Sequence, residues 1–144
     1  MADIRKLTDN LSVAPQLSAA DIADAQNLNY KSVLCNRPDE EEAGQPAYRE
    51  IEQAIERHGL VSEFLPVNGS AISDQDVDDF SAHLKSLPGP VLAYCRSGTR
   101  CTVLWALSEA GKRPTNDILA IAGSAGYALE PLRERIEERA SRSQ

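Results

Sequence analysis

At 144 residues with 42% apolar side chains, the chain has the size of one domain, spanning 1–144, that buries a core without disulfide or metal staples. A formal charge of −7 weighs against nucleic acid and anionic membranes as partners, because phosphate-rich surfaces are bound through many cationic contacts. No apolar run reaches bilayer length, Met1-Ala2-Asp3-Ile4-Arg5-Lys6 lacks a secretory pattern, and three cysteines without paired spacing suit free thiols in a reducing, cytoplasmic compartment.

The chain opens with two extended pieces, Ile4 to Leu7 and Leu11 to Ala14, around the polar turn Thr8-Asp9-Asn10, which predicts a hairpin at a sheet edge. Ser18 caps a helix from Ala19 to about Asn27, with Asp21 in its first turn. Ser32-Val33-Leu34-Cys35 reads as a buried strand. Asn36 to Gln45 carries charge and turn chemistry but no apolar period, so it is a loop of unusual length, the kind that often carries function. From Pro46, apolar positions at three- and four-residue steps predict a helix that Gly59 stops. Val61 to Val67 alternates as a strand, and a helix capped by Ser73 runs to Pro88-Gly89. Pro90 to Tyr94 is a compact strand, followed by a helix over Cys101 to Ala110 that is apolar nearly all round and so belongs at the centre. Thr115 caps a helix to about Gly123, and Leu129, Leu132 and Ile136 mark an amphipathic last helix. The alternation implies an α/β fold with a mainly parallel sheet covered on both faces.

In such sheets ligands bind beyond the carboxyl ends of the strands, where Cys95 falls. The following residues, Arg96-Ser97-Gly98-Thr99-Arg100, lead straight into a helix. Gly98 allows tight curvature, and successive backbone N–H groups with the helix N-terminus can converge on one anion. The same field, with arginines nearby, lowers the pKa of a thiol and favours the nucleophilic thiolate. Arg100 offers a planar fork that binds two oxygens of a phosphoryl, sulfate or thiosulfate group. His58 and His83 do not look like ligands or bases, and no cluster has metal-ligand spacing, so neither a metal nor another cofactor is expected.

The order strand, Cys, Gly-containing loop, Arg, helix resembles the active loop of rhodanese-type sulfurtransferases, which also have four residues between Cys and Arg. It is akin to the Cys-x5-Arg loop of protein tyrosine phosphatases. More of the chain is similar to the beta-lactamase hydrolase-like, phosphatase-like domains, some of which are fused to persulfide dioxygenases. Val13-Ala14-Pro15-Gln16, Val33-Leu34-Cys35-Asn36-Arg37-Pro38-Asp39, Leu65-Pro66-Val67 and Pro90 to Trp105 carry that resemblance, over roughly residues 3 to 130. It implies a tyrosine-phosphatase-like (dual-specificity-phosphatase-like) fold and either of two activities.

Two departures from the phosphatase pattern favour sulfur transfer: Tyr94 stands where those phosphatases have His, and the loop is one residue shorter. A phosphatase also needs an acid for its leaving group, for which Asp39 and Asp74 are the available residues, whereas a sulfur acceptor does not. The expected reaction is transfer of sulfane sulfur from thiosulfate or a persulfide, through a Cys95 persulfide, to glutathione or another thiol. The fusions found among the phosphatase-like domains that the chain resembles imply a persulfide dioxygenase as a partner. The alternative is a cysteine phosphatase working through a Cys95 phosphocysteine, and a non-enzymatic persulfide or anion sensor is the third reading. Arg96, Ser97, Gly98, Thr99 and Cys101 would help bind the anion. Arg37 would contact donor or acceptor, or form a surface salt bridge with Asp39 or Glu40. Cys35 and Cys101 are read either as buried small residues or as redox partners of Cys95.

Overall fold

A computed structural model describes residues 2–142. Five strands, β1 (Arg5–Lys6), β2 (Leu11–Ala14), β3 (Ser32–Cys35), β4 (Val61–Phe64) and β5 (Val91–Tyr94), form one sheet in the order β1-β2-β5-β3-β4. β1 runs antiparallel to β2, and every other pairing is parallel. The crossovers are α1 (Ala19–Asn27), α2 (Tyr48–Arg57) and α3 (Asp74–Ser86), and α4 (Thr99–Ser108), α5 (Thr115–Ser124) and α6 (Arg133–Arg142) follow β5. A 3-10 turn, Glu130–Leu132, precedes α6.

Period-two alternation divides the core into two layers. Val13, Leu34, Val91 and Ala93 point toward the layer that holds Phe80, Leu104, Trp105 and Ile118. Ala14, Val33, Cys35, Leu92 and Tyr94 point the other way, among Ile22, Ile51 and Ile55. α4 lies in the first layer, packed against α3, α5 and α6, and its Leu104, Trp105, Ala106 and Leu107 are all buried. That surrounding explains an all-round apolar helix.

Local chemistry accounts for the ends. Ser18 with Asp21, and Ser73 with Asp76, form reciprocal capping boxes at α1 and α3. Several boundaries differ from the sequence expectation, among them α4, which runs Thr99–Ser108 instead of Cys101 to Ala110, and β1, which is confined to Arg5–Lys6; three others have a local cause. α2 begins at Tyr48 instead of Pro46, because Ala47 is extended and the Asp39 carboxylate takes up the Tyr48 N–H at 2.8 Å. β4 ends at Phe64, just ahead of Leu65-Pro66, since proline has no N–H for a ladder. Pro114, not Thr115, occupies the cap position of α5, with Thr115 as the first helical residue. Among the described residues no helix is long and apolar enough to cross a membrane, and none of their His, Cys, Asp and Glu side chains form a group of three suited to a metal ion.

Candidate active site

β5 is hydrogen-bonded to β2 on one side and β3 on the other, and Cys95 follows directly at its carboxyl end. The loop after it turns back over the thiol. The Gly98 N–H donates to Cys95 Sγ at 3.1 Å, and α4 begins at Thr99. The Ser97 hydroxyl donates to Thr99 Oγ1 at 3.0 Å and accepts from the Thr99 N–H, while the Thr102 hydroxyl donates to the Gly98 carbonyl at 2.8 Å. These bonds set the loop's curvature before any ligand arrives. Cys95, Arg96, Ser97, Thr99 and Arg100, with Gly69, Ile72 and Val103, line a cleft of about 260 Å³.

The electrostatics favour a charged Cys95. A hydrogen bond from the Cys101 thiol has the largest influence; burial opposes it, but N–H groups of Cys101, Gly98 and Ser97 add to it, and the pKa falls to about 6. Cys101, fully buried in the first turn of α4, is shifted the opposite way by burial and by donating to its neighbour. The two thiols therefore divide the roles: Cys95 ionises and Cys101 stays protonated.

Gly98 has φ +91°, a backbone conformation that side-chain-bearing residues rarely adopt. A Cβ there would fall on the Tyr127 hydroxyl and 3.1 Å from Tyr127 Cζ. Tyr127, in the connection after α5, donates to the Ser97 carbonyl at 3.2 Å and braces the loop from behind. Gly98→Ala combines left-handed strain of about 1–2 kcal/mol with displacement of a hydrogen bond worth about 1 kcal/mol. It should lower the urea midpoint and cut turnover by about a hundredfold, as loss of one aimed donor does. Turnover within a few-fold of the parent would show that the Gly98 N–H is not aimed at the reacting group.

The other expected residues are distributed unequally. Arg100 faces the cleft with its side chain 13% exposed, and Arg96 is largely exposed and pairs with Glu42 at 3.5 Å. Arg37 is 2% exposed and its donors go to Glu41, Glu42 and Gln16, so the expected surface salt bridge with Asp39 or Glu40 is instead a buried one with Glu41 and Glu42. The ion pairs with Glu41 and Glu42 compensate its burial. Asp39 caps α2, and Asp74, in the first turn of α3, pairs with Arg139, Arg135 and Arg142. The hydrogen bond from Arg139, against slight desolvation and with help from Arg142 and Arg135, holds the Asp74 carboxyl below its ordinary range. Tyr94 and Cys35 occupy the opposite layer from Cys95. Burial raises the Cys35 thiol to about 11, and raises Tyr94 more strongly with the neighbouring Cys35 adding to it. Cys35 donates to the Arg37 carbonyl at 3.4 Å. Glu41, Glu42, Gln16 and Tyr127 join the site without having been marked in the sequence, where each is a polar or aromatic residue far from Cys95.

The sequence profile of the beta-lactamase hydrolase-like protein, phosphatase-like domain, matches residues 3–112. The chain belongs to that family. It is 31% identical over 125 residues to a beta-lactamase hydrolase-like protein of Xylella fastidiosa and 32% identical over 126 residues to one of Agrobacterium fabrum. The matches cover 85% and 86% of the chain but 29% of each relative, so the chain spans less than a third of their length. Among solved structures, a Neisseria meningitidis Z2491 protein described as a candidate phosphatase superposes with a TM-score of 0.87 at 39% identity, covering 95% of this chain and 98% of that one. The catalytic domain of the PP-IP phosphatase SIW14 of S. cerevisiae shares the fold, with a TM-score of 0.70 at 14% identity over 98% of this chain and 92% of that one. The fold is thus that of the protein-tyrosine-phosphatase-like enzymes, as the family resemblance implied.

Proposed function

We propose that the chain is a cysteine-dependent phosphatase in which Cys95 takes a phosphoryl group as phosphocysteine and water then releases it. The observation that carries this reading is a thiolate with a pKa of about 6 at a helix N-terminus, with the Gly98 N–H on its sulfur and Arg100 lining the same cleft. Family membership and the phosphatase description of the Neisseria relative support it. The thiolate sulfur attacks phosphorus, the leaving oxygen departs with the bonding pair, and loop N–H groups and Arg100 stabilise the charge on the transferring group. Of the expected acids, Asp39 is engaged at the start of α2 and Asp74 is ionised among arginines. The substrates that fit are those whose leaving group departs unprotonated, such as aryl phosphates and phosphoanhydrides.

A second reading, sulfane sulfur transfer through a Cys95 persulfide to glutathione or another thiol, is favoured by one observation. Only four residues separate Cys95 from Arg100, and this transfer has no leaving oxygen to protonate. The short loop and Tyr94 in the place of His favour sulfur transfer in the sequence, whereas family membership and the Neisseria relative support the phosphatase reading. The test is to supply aryl phosphate, alkyl phosphate and, separately, thiosulfate with glutathione, and to weigh the protein after each. Phosphate release from the aryl ester, blocked by vanadate and much slower from the alkyl ester, is the expected result. A gain of one sulfur atom on Cys95, with sulfur passed to glutathione and no phosphate released, would establish the second reading instead.

A further inference from the structure

We infer that Glu41, seated by the buried Arg37, is a positioning residue that fixes which edge of the Arg100 guanidinium receives the anion. The inference rests on the Cys95 cleft being an oxyanion site, which both readings above share. A guanidinium presents two forked edges, an end formed by Nη1 and Nη2 and a side formed by Nε and Nη2. Glu41 occupies the end of Arg100, with Nη1 to Oε2 at 3.0 Å and Nη2 to Oε1 at 3.2 Å. Nη1 also donates to the Val67 carbonyl at 3.0 Å and the Asn36 carbonyl at 3.4 Å, so that nitrogen is fully engaged.

The side edge is treated differently. Among the described residues Arg100 Nε has no acceptor, and it lies against Gly69, where a Cβ would come within 2.8 Å of it. Gly69 and Arg100 both line the cleft with Cys95. A bare backbone at residue 69 therefore keeps open the one edge that Glu41 leaves.

Glu41 sits on an exposed loop and needs an anchor, which Arg37 supplies. Arg37 Nε donates to Glu41 Oε1 at 3.1 Å, Nη1 to Gln16 Oε1 at 3.0 Å and Nη2 to Glu42 Oε1 at 2.9 Å. Gln16 in turn donates its backbone N–H to the Arg96 carbonyl at 3.2 Å, which ties Arg37 to the Cys95 loop itself. Burial disfavours the Glu41 charge, but hydrogen bonds from Arg100 and Arg37 outweigh it and hold the carboxyl below its ordinary range. The carboxylate is thus ionised throughout the pH range in which Cys95 carries its own charge.

Simple Coulomb reasoning predicts that removing a carboxylate beside an anion site tightens anion binding. Positioning predicts the reverse, and the sign separates the two. The readout is protection of Cys95 from iodoacetamide by inorganic phosphate, which requires no turnover, with urea unfolding measured alongside. Glu41→Gln should weaken protection by about tenfold, the equivalent of losing one charge-assisted contact, with little change in the urea midpoint. Arg37→Lys, which loses the fork, should shift protection in the same direction. If Glu41→Gln is destabilised, Glu41→Asp, which keeps the charge but is too short to reach both guanidiniums, is read in its place. Protection in Glu41→Gln equal to or better than the parent, with Arg100→Lys having lost it, overturns the positioning role alone. Unchanged protection in Arg100→Lys overturns the anion site and both readings built on it.

Discussion

Cys95→Ser is expected to abolish turnover of every donor, by at least about 10⁴-fold, the scale on which catalytic nucleophiles fail when removed. The loop around Cys95 stabilises negative charge, and a thiol with a pKa of about 6 is mostly thiolate at neutral pH. A serine hydroxyl in the same place remains protonated, and among the described residues no side chain is placed to take its proton: Cys101 is a protonated donor and both expected carboxylates are engaged elsewhere. The Gly98 N–H and the Arg100 fork remain, and the repulsion of a thiolate is gone, so inorganic phosphate should bind at least as tightly as before. Near pH 6 and below the urea midpoint should change little, whereas toward pH 8.5 Cys95→Ser should lack the resistance that the parent gains from its thiolate. Retained turnover in Cys95→Ser would remove Cys95 from the reaction under either reading.

Cys101→Ala should move the pH midpoint of Cys95 alkylation from about 6 up toward the ordinary thiol value of about 8.5, because the Cys101 thiol is the largest influence holding it down. Alkylation near pH 6, where the parent is half ionised, should then slow by more than about tenfold, while at pH 9 the two proteins converge. An unchanged midpoint would assign the shift to the backbone donors alone. The same linkage affects stability. Because folding lowers the Cys95 pKa, its contribution is full above the unfolded thiol value and is lost as pH falls through about 6. Cys35, raised to about 11, acts in the opposite sense: its contribution is full below the unfolded value and is lost as pH rises toward 11. The parent should therefore gain urea resistance between pH 6 and 8.5, and Cys101→Ala should gain less.

What was legible in the sequence is what short-range chemistry determines. Ser18 to Asp21 and Ser73 to Asp76 are capping boxes spaced three residues apart, and the helix starts follow from them. The run from Val91 to Arg100 contains strand, nucleophile, turn and helix N-terminus in one segment, so its geometry is almost local. The partners of Arg37 are not legible in the sequence, because they depend on which strands are neighbours. Only when β3 lies beside β5 does the loop after Cys35 reach the loop after Tyr94, and only then can Glu41 bridge Arg37 and Arg100. The same applies to Tyr127, about thirty residues beyond the carbonyl it holds, for which no spacing rule exists. The alternation of β3 and β5 does contain the information that separates Cys35 from Cys95. Tyr94 and Cys95 are consecutive and fall in opposite layers, and Cys35 pairs in register with Tyr94.

The placement of Cys95 after a strand hydrogen-bonded on both flanks divides the active site into a fixed half and an adjustable half. The nucleophile and its N–H donors are built on backbone ladders and helix geometry, which tolerate little change. The opposing half, Glu41 and Glu42, is held by side-chain ion pairs on a surface loop. Changes among the exposed residues of this loop that keep Asp39 on the Tyr48 N–H and a carboxylate on Arg37 can therefore alter which anions enter while leaving the reacting sulfur as it was. A scaffold arranged in this way can diverge in substrate through one surface loop and keep the same nucleophile.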